Sequence, residues 1–265
     1  MKRLNVFLIG GTKDSINIIK YLKETFNTYI LTTTTTEYGS SLAIKGGSDE
    51  TIAKPLPKDD ILELLKNNNF DLIIDATHPF ATHITRTAIE CSKISKVPYI
   101  RFERPTSKIE NIDSEKLHEV KSFEDAGKLI SEKWNQYNVL HLAGTNTIED
   151  VLKSLKPEKF YPRILKLESS IKKCEKLKIP KENITFMKGV STEKENIELI
   201  KKINAKVIIS KESGETGGLS AKINAASKLN IDFILVTRPE VKSLNENYIV
   251  RTLEELDKKI KEIFS

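Results

Sequence analysis

The chain repeats part of its own sequence, and this internal duplication limits the folds that are open to it. Four stretches of the first half recur in the same order in the second half, each roughly 130 residues further on. The matched pairs are Val6–Thr12 with Val139–Thr145, Asp71–Asp75 with Lys206–Ser210, Pro98–Pro105 with Asp232–Pro239, and His118–Ala126 with Tyr248–Leu256. This order predicts two similar lobes.

Short apolar stretches alternate with segments of helical periodicity. Asp59 is the expected N-cap of a helix after Pro57, and a polar loop through Gly39 is expected after the second strand. Strands that alternate with helices at this spacing favour parallel sheets with right-handed crossovers. The predicted fold class is α/β, with two similar Rossmann-like lobes, each a mainly parallel sheet flanked by helices, and an active-site cleft between them. The first half is predicted to contain strands at residues 4–9, 29–33, 71–76 and 98–102, and helices at about 15–25, from Asp59 onwards and at about 82–93.

The lobe boundary is predicted to follow the first Arg-Pro pair. The N-terminal lobe would span residues 1–105 and the C-terminal lobe residues 106–265. Two segments can be assigned either way. Residues 106–134 could complete the first lobe or begin the second, and residues 240–265 could cross back to the first lobe.

The charge pattern argues against a nucleic-acid partner. The net charge is +6, but the lysines alternate with glutamates, as in Lys172–Lys181 and Glu254–Glu262, and no arginine-rich arm is present. This pattern is typical of a solvated surface. A mild positive potential would help to attract a polyanionic small molecule.

The cysteines, histidines and apolar runs disfavour three further classes. Cys91 and Cys174 are far apart and have no CxxC partner, so neither a disulfide framework nor a zinc site is expected. His78 and His83 lack the spacing of two metal ligands on one helix face. The apolar runs are too short to span a bilayer, and the stretch before Gly10 is too short for a signal peptide. We expect a cytoplasmic protein without metal or membrane partner, as a monomer or small homo-oligomer.

A polar cluster follows the central strand of the first half. Leu72–Ile74 form a continuous apolar run, as expected of a parallel strand that is covered on both faces. Asp75, Thr77 and His78 come next, and Pro79 ends the strand because it cannot donate to a ladder. Ligands of open α/β sheets bind beyond the carboxyl ends of the strands. The cluster is therefore a candidate site; the alternative is a polar cap of the strand.

The turn after the first strand is a candidate phosphate site. Gly10 and Gly11 permit close backbone approach, the following helix offers free N–H groups, and Thr12 adds a hydroxyl donor. The turn lacks the third glycine of the G-x-G-x-x-G fingerprint, so an ordinary strand–helix turn is the alternative. Thr33 and Thr34 stand where NAD-binding lobes carry an acidic residue. Their hydroxyl groups favour NADP slightly, although no arginine is at hand for its 2′-phosphate.

A glycine-rich loop in the second half is a candidate anion site. Residues 210–222 follow a strand and precede a helix, and they combine glycines with hydroxyl and ammonium donors. This composition suits a carboxylate or a phosphate, and a long turn is the alternative. Lys222 at a helix start is unfavourable against the helix dipole, which an anionic ligand would offset. The donors are contributed by Lys211, Ser213, Gly214, Thr216, Gly217, Gly218 and Lys222.

Together these motifs resemble those of the precorrin-6A reductase family of corrin-ring (vitamin B12) biosynthesis, including its cobalt-precorrin-6A members. The resemblance covers essentially the whole chain, and the stretch from Asp75 to Ala81 is its most specific part. Residues 188–191 depart from the Gly-Pro-Phe of other members. The matching pieces are Gly10–Thr12, Asp75–Ala81, Arg101–Pro105 and Ser210–Gly214, with Gly217, Gly218 and Lys222.

The resemblance implies a reductase that transfers hydride from NADPH or NADH to precorrin-6A or cobalt-precorrin-6A and gives the dihydro 6B form. It implies that the first lobe binds the nicotinamide cofactor and the second lobe the substrate carboxylates. The expected cofactor ligands are Gly10, Gly11, Thr12, Thr33, Thr34, Thr77, His78, Pro79 and Phe80. The expected substrate ligands are Arg101, Arg104, Lys211, Ser213, Gly214, Gly217, Gly218 and Lys222.

His78 is the expected proton donor, because an imidazole titrates near neutral pH, although solvent could also serve. Two other functions stay open. One is a nicotinamide-dependent reductase of another polyanionic small molecule, and the other is a non-catalytic two-lobed ligand-binding protein.

Overall fold

A computed structural model describes residues 3–187 and 189–265 of the chain. The chain divides into two compact units. The first lobe contains the residues up to Pro105 together with Glu240–Ser265, and the second lobe is Thr106–Pro239. Of the two segments that the sequence left open, residues 106–134 thus lie in the second lobe and residues 240–265 in the first.

Helices and strands alternate through both lobes. No helix of residues 3–187 and 189–265 is long and apolar enough to cross a membrane. The strands are β1 (Leu4–Ile9), β2 (Thr28–Thr34), β3 (Glu50–Ala53), β4 (Leu72–Asp75), β5 (Tyr99–Phe102), β6 (Leu117–Val120), β7 (Asn138–His141), β8 (Phe160–Leu165), β9 (Thr185–Met187), β10 (Ala205–Lys211), β11 (Asp232–Val236) and β12 (Ile249–Val250). The helices are α1 (Lys13–Thr25), α2 (Glu37–Gly46), α3 (Lys58–Asn67), α4 (Thr82–Ser95), α5 (Phe123–Lys133), α6 (Ile148–Leu152), α7 (Glu168–Lys176), α8 (Glu193–Ile203), α9 (Leu219–Lys228) and α10 (Leu253–Phe264).

Each lobe is built on one six-stranded sheet whose strand pairs are parallel. The order is β12-β5-β4-β1-β2-β3 in the first lobe and β6-β11-β10-β7-β8-β9 in the second. Read in the same direction, the second order repeats the first strand by strand, with β7 in the place of β1 and β10 in the place of β4. The prediction of two parallel-sheet α/β lobes is confirmed.

The sixth strand is exchanged between the two repeats. β6 follows β5 along the chain but pairs with β11 in the second lobe, with Val120 beside Val236. β12 follows β11 but pairs with β5 in the first lobe, with Val250 beside Phe102. A hydroxyl residue caps the helix after each exchanged strand, Ser122 in one case and Thr252 in the other.

The central strands are buried on both faces. Successive residues of a strand point to opposite faces, and in β1 Val6 and Leu8 pack into one cluster of core residues while Phe7 and Ile9 pack into another. Burial on both faces explains why β1 and β4 read as continuous apolar runs. The carboxyl ends of these strands carry the polar residues discussed below.

Two details of the predicted fold are wrong. The segment after β2, predicted as a polar loop, contains α2 and β3; Thr36 caps α2 by accepting from the N–H of Gly39. The glycines and serines of α2 have low helix propensity, so its sequence does not show a clear helical pattern. Asp59 is not an N-cap: it lies within the first turn of α3, where its charge favours the helix dipole, and Pro57 is the N-cap without a side-chain hydrogen bond. Of residues 188–191, which differ from the Gly-Pro-Phe of the family, Lys188 lies outside the described residues.

Candidate functional site

The carboxyl end of β4 is organised around one buried carboxylate. Asp75 is fully buried, where an ionised carboxylate is costly unless it is paired and hydrogen-bonded. It accepts five hydrogen bonds from neighbouring side chains and backbone. The donors are the N–H of Thr77 (3.0 Å), the hydroxyl groups of Thr77 (2.7 Å), Thr85 (2.8 Å) and Tyr99 (3.0 Å), and Nη1 of Arg101 (2.7 Å).

Arg101 neutralises this carboxylate from inside the protein. Its side chain is buried, and it also bonds the hydroxyl of Thr77 at 2.9 Å and Glu103 at 3.3 Å. Burial is the largest single influence on the pKa of Arg101 and acts to lower it, but Asp75, Tyr99 and Glu103 together outweigh burial and the pKa is raised. Burial, reinforced by Asp75, raises the pKa of Tyr99. The guanidinium predicted to meet substrate is therefore bonded to groups of its own lobe.

The polar network fixes the start of the loop that carries His78. Thr77 is held to Asp75 through both its backbone and its hydroxyl. Nδ1 of His78 accepts from the N–H of Phe80 at 3.2 Å, and the two rings lie 5.7 Å apart. Since Nδ1 is an acceptor, the neutral imidazole carries its proton on Nε2. Pro79 between them is buried, while His78 and Phe80 are partly exposed.

The glycine turn after β1 leaves room above its backbone. Gly11 has a φ of +97°, which favours glycine, and a Cβ built there would meet no atom within 4 Å. Thr12 is the N-cap of α1: its hydroxyl accepts from the N–H of Ser15 and donates to the carbonyl of Ala76 at 2.7 Å. The hydroxyl predicted to donate a hydrogen bond to phosphate therefore donates it to a backbone carbonyl just after β4. Gly10 is tightly packed, since a Cβ there would lie 3.0 Å from Thr32.

The end of β2 carries hydroxyl groups and no carboxylate. Thr33 and Thr34 are both buried, and the hydroxyl of Thr34 donates to the carbonyl of Thr36 at 3.0 Å. Arg104 pairs with Asp14 in the first turn of α1 at 3.1 Å. The open glycine turn and the absence of an acid at Thr33 and Thr34 fit a nicotinamide dinucleotide, including one with a 2′-phosphate.

In the second lobe, a buried lysine lies beside the end of β10, the strand that corresponds to β4. Lys222 is 7% exposed and its ammonium makes two long hydrogen bonds, to the carbonyl of Leu142 at 3.4 Å and to the hydroxyl of Ser210 at 3.3 Å. Burial, with the charges of Arg163 and Lys211, lowers the pKa of Lys222 to about 7. No carboxylate of the described residues forms an ion pair with Lys222.

The glycine-rich loop before α9 is shaped by Glu212 and Ser213. Glu212 is buried and accepts from the N–H of Gly214 at 3.1 Å, and Arg238 pairs with its other oxygen. Gly217 lies against the side chain of Ser213 so closely that any Cβ would collide with it. The hydroxyl of Ser213 is buried and has no hydrogen-bond partner among residues 3–187 and 189–265. Gly218 has a φ of +68°.

The structure adds two basic groups that the sequence did not single out. His141 is fully buried at the end of β7; burial first, then Lys211 and Lys222, lowers its pKa to about 3. Arg163 is buried in β8. The duplication could have indicated Arg163, because the registers of β1 with β2 and of β7 with β8 place it where Thr33 lies in the first lobe.

The two lobes thus define an α/β protein with a glycine turn at one strand end and a basic, glycine-rich loop at another. A family model described as precorrin-6x reductase CbiJ/CobK matches residues 5–261. The chain belongs to this family, as its motifs predicted, and it is an oxidoreductase of corrin-ring biosynthesis that uses a nicotinamide cofactor.

Named relatives agree with this assignment. The chain is 39% identical over 241 residues to cobalt-precorrin-6A reductase of Methanothermobacter thermautotrophicus, covering 91% of this chain and 78% of the relative. It is 38% identical over 239 residues to cobalt-precorrin-6A reductase of Methanocaldococcus jannaschii, covering 90% of this chain and 92% of the relative. A solved structure of CobK precorrin-6A reductase has the same fold, with a TM-score of 0.74, 18% identity and coverage of 98% and 97% of the two chains.

Proposed function

We propose that this enzyme reduces cobalt-precorrin-6A, or its metal-free counterpart, to the dihydro 6B form, with NADPH as the preferred hydride donor. The proposal rests on the family match across both lobes and on the buried bases of the second lobe, where Lys222 and Arg163 form no ion pair with an acid of residues 3–187 and 189–265. The substrate class bears many carboxylates, and such bases are the groups that would bind them.

The first lobe is proposed to hold the cofactor. The nicotinamide supplies hydride when bound, and the protein supplies its placement. Gly10 and Gly11 would let the pyrophosphate approach the backbone at the start of α1, while Thr12 holds that turn to the end of β4. Thr33 and Thr34 would face a ribose 2′-phosphate without the repulsion of a carboxylate, which is why NADPH is favoured over NADH.

The loop after β4 is proposed to place the nicotinamide ring. Thr77, His78, Pro79 and Phe80 would contact it, and the buried bonds of Asp75 to Thr77 would keep the loop in one conformation. Preorganisation of this kind lowers the entropy that must be lost on reaching the reactive geometry. Arg101 would act through this network rather than by touching substrate.

The second lobe is proposed to bind the carboxylates of the tetrapyrrole. Lys222 and Lys211 would supply positive charge, and the backbone of Gly214, Gly217 and Gly218 with the buried hydroxyl of Ser213 would supply neutral donors. A carboxylate beside Lys222 would favour the protonated ammonium and offset the burial that lowers its pKa.

His78 is proposed to deliver the proton that accompanies hydride addition. Its Nε2 would be the donating atom of the imidazolium form, in which Nδ1 is also protonated and no longer accepts from the N–H of Phe80. His78→Gln keeps an N–H group near that position but cannot titrate at neutral pH. We expect His78→Gln to lower kcat and to remove the alkaline limb of its pH profile, because a proton donor loses activity as its imidazolium deprotonates. An unaltered pH profile would assign the proton to solvent.

The proposal is tested with purified protein, cobalt-precorrin-6A or precorrin-6A, and NADPH or NADH. Loss of the absorbance band of the reduced nicotinamide, together with a change in the tetrapyrrole spectrum, is the expected result. NADPH should give the higher kcat/KM. Cofactor binding without oxidation of either nicotinamide, in the presence of either tetrapyrrole, would overturn the assignment of substrate.

A further inference from the structure

Arg163 is a buried cation that forms no ion pair with the residues of its lobe that the structure describes. It lies near the carboxyl end of β8, is 5% exposed, and donates from Nη1 to the amide oxygen of Asn196 at 2.7 Å. Its Nε and the Nδ2 of Asn196 are buried without a hydrogen-bond partner in the described part of the chain. A buried charge without a counter-charge is costly, so such a residue is expected to serve a ligand.

Glu195, the acid that acts on the charge of Arg163, does not form an ion pair with it. Glu195 attracts the guanidinium, but its carboxylate accepts from the N–H of Thr192 at 2.7 Å and from the hydroxyl of Thr192 at 3.0 Å, as the capping box of α8. No ion pair joins Arg163 to a carboxylate within residues 3–187 and 189–265. Another charged group that interacts with Arg163 is basic: burial lowers the pKa of Lys222, and the charge of Arg163 lowers it further.

A cavity opens beside this guanidinium. Arg163 lines a space of about 480 Å³ together with the small residues Gly189 and Ser191 and with Thr185 of β9. Glu195 also lines this space, and one oxygen of its carboxylate is held by Thr192. Val190 in the same wall packs against Gly218 of the glycine-rich loop, where a Cβ would collide with it. The cavity therefore adjoins the loop that is proposed to bind carboxylates.

The position in the fold also indicates an anion site. By strand register Arg163 corresponds to Thr33 of the first lobe, near the carboxyl end of the second strand of the repeat. In nucleotide-binding folds this strand end contacts the ribose, and an arginine nearby accommodates a 2′-phosphate. A guanidinium also suits two oxygen atoms of one carboxylate or phosphate, because its donors form a planar fork.

We propose that Arg163, oriented by Asn196, is an anion-binding residue of the second lobe that takes one oxyanion, a carboxylate of the substrate or a phosphate group of the cofactor. The identity of the natural ligand rests on the proposed reductase function. The binding of an oxyanion in this cavity does not, and it can be measured without catalysis.

The binding test uses inorganic phosphate and the side-chain amide signal of Asn196 in the NMR spectrum of the full chain, assigned by its loss in Asn196→Asp. We expect phosphate to shift this signal in the wild type. Arg163→Gln should weaken the response by roughly tenfold or more, because a charge-assisted hydrogen bond is lost. Arg163→Lys should retain part of it, and Arg86→Gln, a change at an exposed arginine of α4, should leave it intact.

Asn196→Asp is the second variant and guards against misfolding of Arg163→Gln. It places a carboxylate beside Arg163, so the folded protein should lose phosphate binding in the cavity while keeping its melting temperature or gaining stability. Phosphate binding there would be followed through the backbone signals of Gly189 and Ser191.

Steady-state kinetics then separate the two ligands. A KM that rises for NADPH but not for NADH in Arg163→Gln would identify the cofactor's 2′-phosphate. A KM that rises for the tetrapyrrole would identify a substrate carboxylate. The proposal would be overturned if the Asn196 signal of the wild type did not respond to phosphate, or if folded Arg163→Gln kept the kinetic constants of the wild type. Failure of catalysis with every tetrapyrrole would affect only the proposed function.

Discussion

The two lobes share one topology but have opposite charges at the corresponding strand end. In the first lobe β4 ends in Asp75, and the fourth residue of the next helix, Thr85, donates to it at 2.8 Å. In the second lobe Ser210 lies near the end of β10, and the fourth residue of the next helix, Lys222, donates to it at 3.3 Å. The first site holds a buried acid and the second a buried base.

The difference lies in how each charge is compensated. Asp75 has Arg101 at 2.7 Å and four further hydrogen bonds, so its site is electrostatically complete without a ligand. Lys222 has two long bonds to neutral groups and basic neighbours. In the first lobe the charge of Asp75 is balanced by Arg101, and their network holds the loop after β4. In the second lobe the charge of Lys222 would be balanced by an anionic ligand.

The largest effect is expected from removing the acid of the first lobe. Asp75→Ala leaves Arg101 buried beside Glu103 alone, at 3.3 Å, and this should lower the free energy of unfolding by about 3–5 kcal/mol. Urea denaturation measures the change. Asp75→Asn, which keeps the shape and an acceptor oxygen, should cost less. A loss below about 1 kcal/mol for Asp75→Ala would show that the network does not stabilise the lobe.

Removing the base of the second lobe, by Lys222→Met, should raise the free energy of unfolding at neutral and acidic pH, whereas Asp75→Ala lowers it. The pKa of Lys222 is about 7 in the folded protein against an ordinary value of 10.5, so between these values the unfolded chain binds more protons. The free energy of unfolding of the wild type should therefore rise with pH across this window. Lys222→Met should be more stable than the wild type below pH 7, and its advantage should fade towards pH 10.5.

This pH dependence is measured by urea denaturation of both proteins at several pH values. Lys228→Met, at an exposed lysine of the same helix, is the control and should retain the slope of the wild type. A difference between Lys222→Met and the wild type that stays constant with pH would contradict an unpaired buried ammonium.

The smallest effect is expected from one hydroxyl of the Asp75 network. Thr85→Val removes a single hydrogen bond from a carboxylate that keeps four others, so a loss of about 1–2 kcal/mol is expected. Thr87→Val, whose hydroxyl bonds only the carbonyl of His83 one turn earlier, is the matched control on α4 and should have a smaller effect. Equal losses would mean that the carboxylate does not depend on Thr85.

The duplication predicted most of the fold, because apolar runs and their spacing specify parallel strands and crossovers. It could not show the exchange of β6 and β12, since both strands follow their own repeat in sequence and their partners are set by tertiary packing. α2 was missed because its glycines and serines weaken the helical pattern.

The candidate site was less predictable than the fold. Thr12 and Arg101 have side chains suited to ligands, yet in the structure they donate hydrogen bonds to Ala76 and Asp75. These bonds join residues that are far apart in sequence, so the sequence alone does not reveal them. Arg163 carries no local motif and becomes visible only when the register of the two sheets is compared.

The division of roles between the lobes is tested most directly by the two KM values of two variants, Thr33→Asp and Lys222→Met, in the reductase assay. Thr33→Asp places an acid where the ribose 2′-phosphate is proposed to lie, so it should raise KM for NADPH by about tenfold and leave KM for the tetrapyrrole unchanged. Lys222→Met should do the reverse, raising KM for the tetrapyrrole by about tenfold with KM for NADPH unchanged. An exchange of these effects, with Lys222→Met weakening NADPH and Thr33→Asp weakening the tetrapyrrole, would contradict the account.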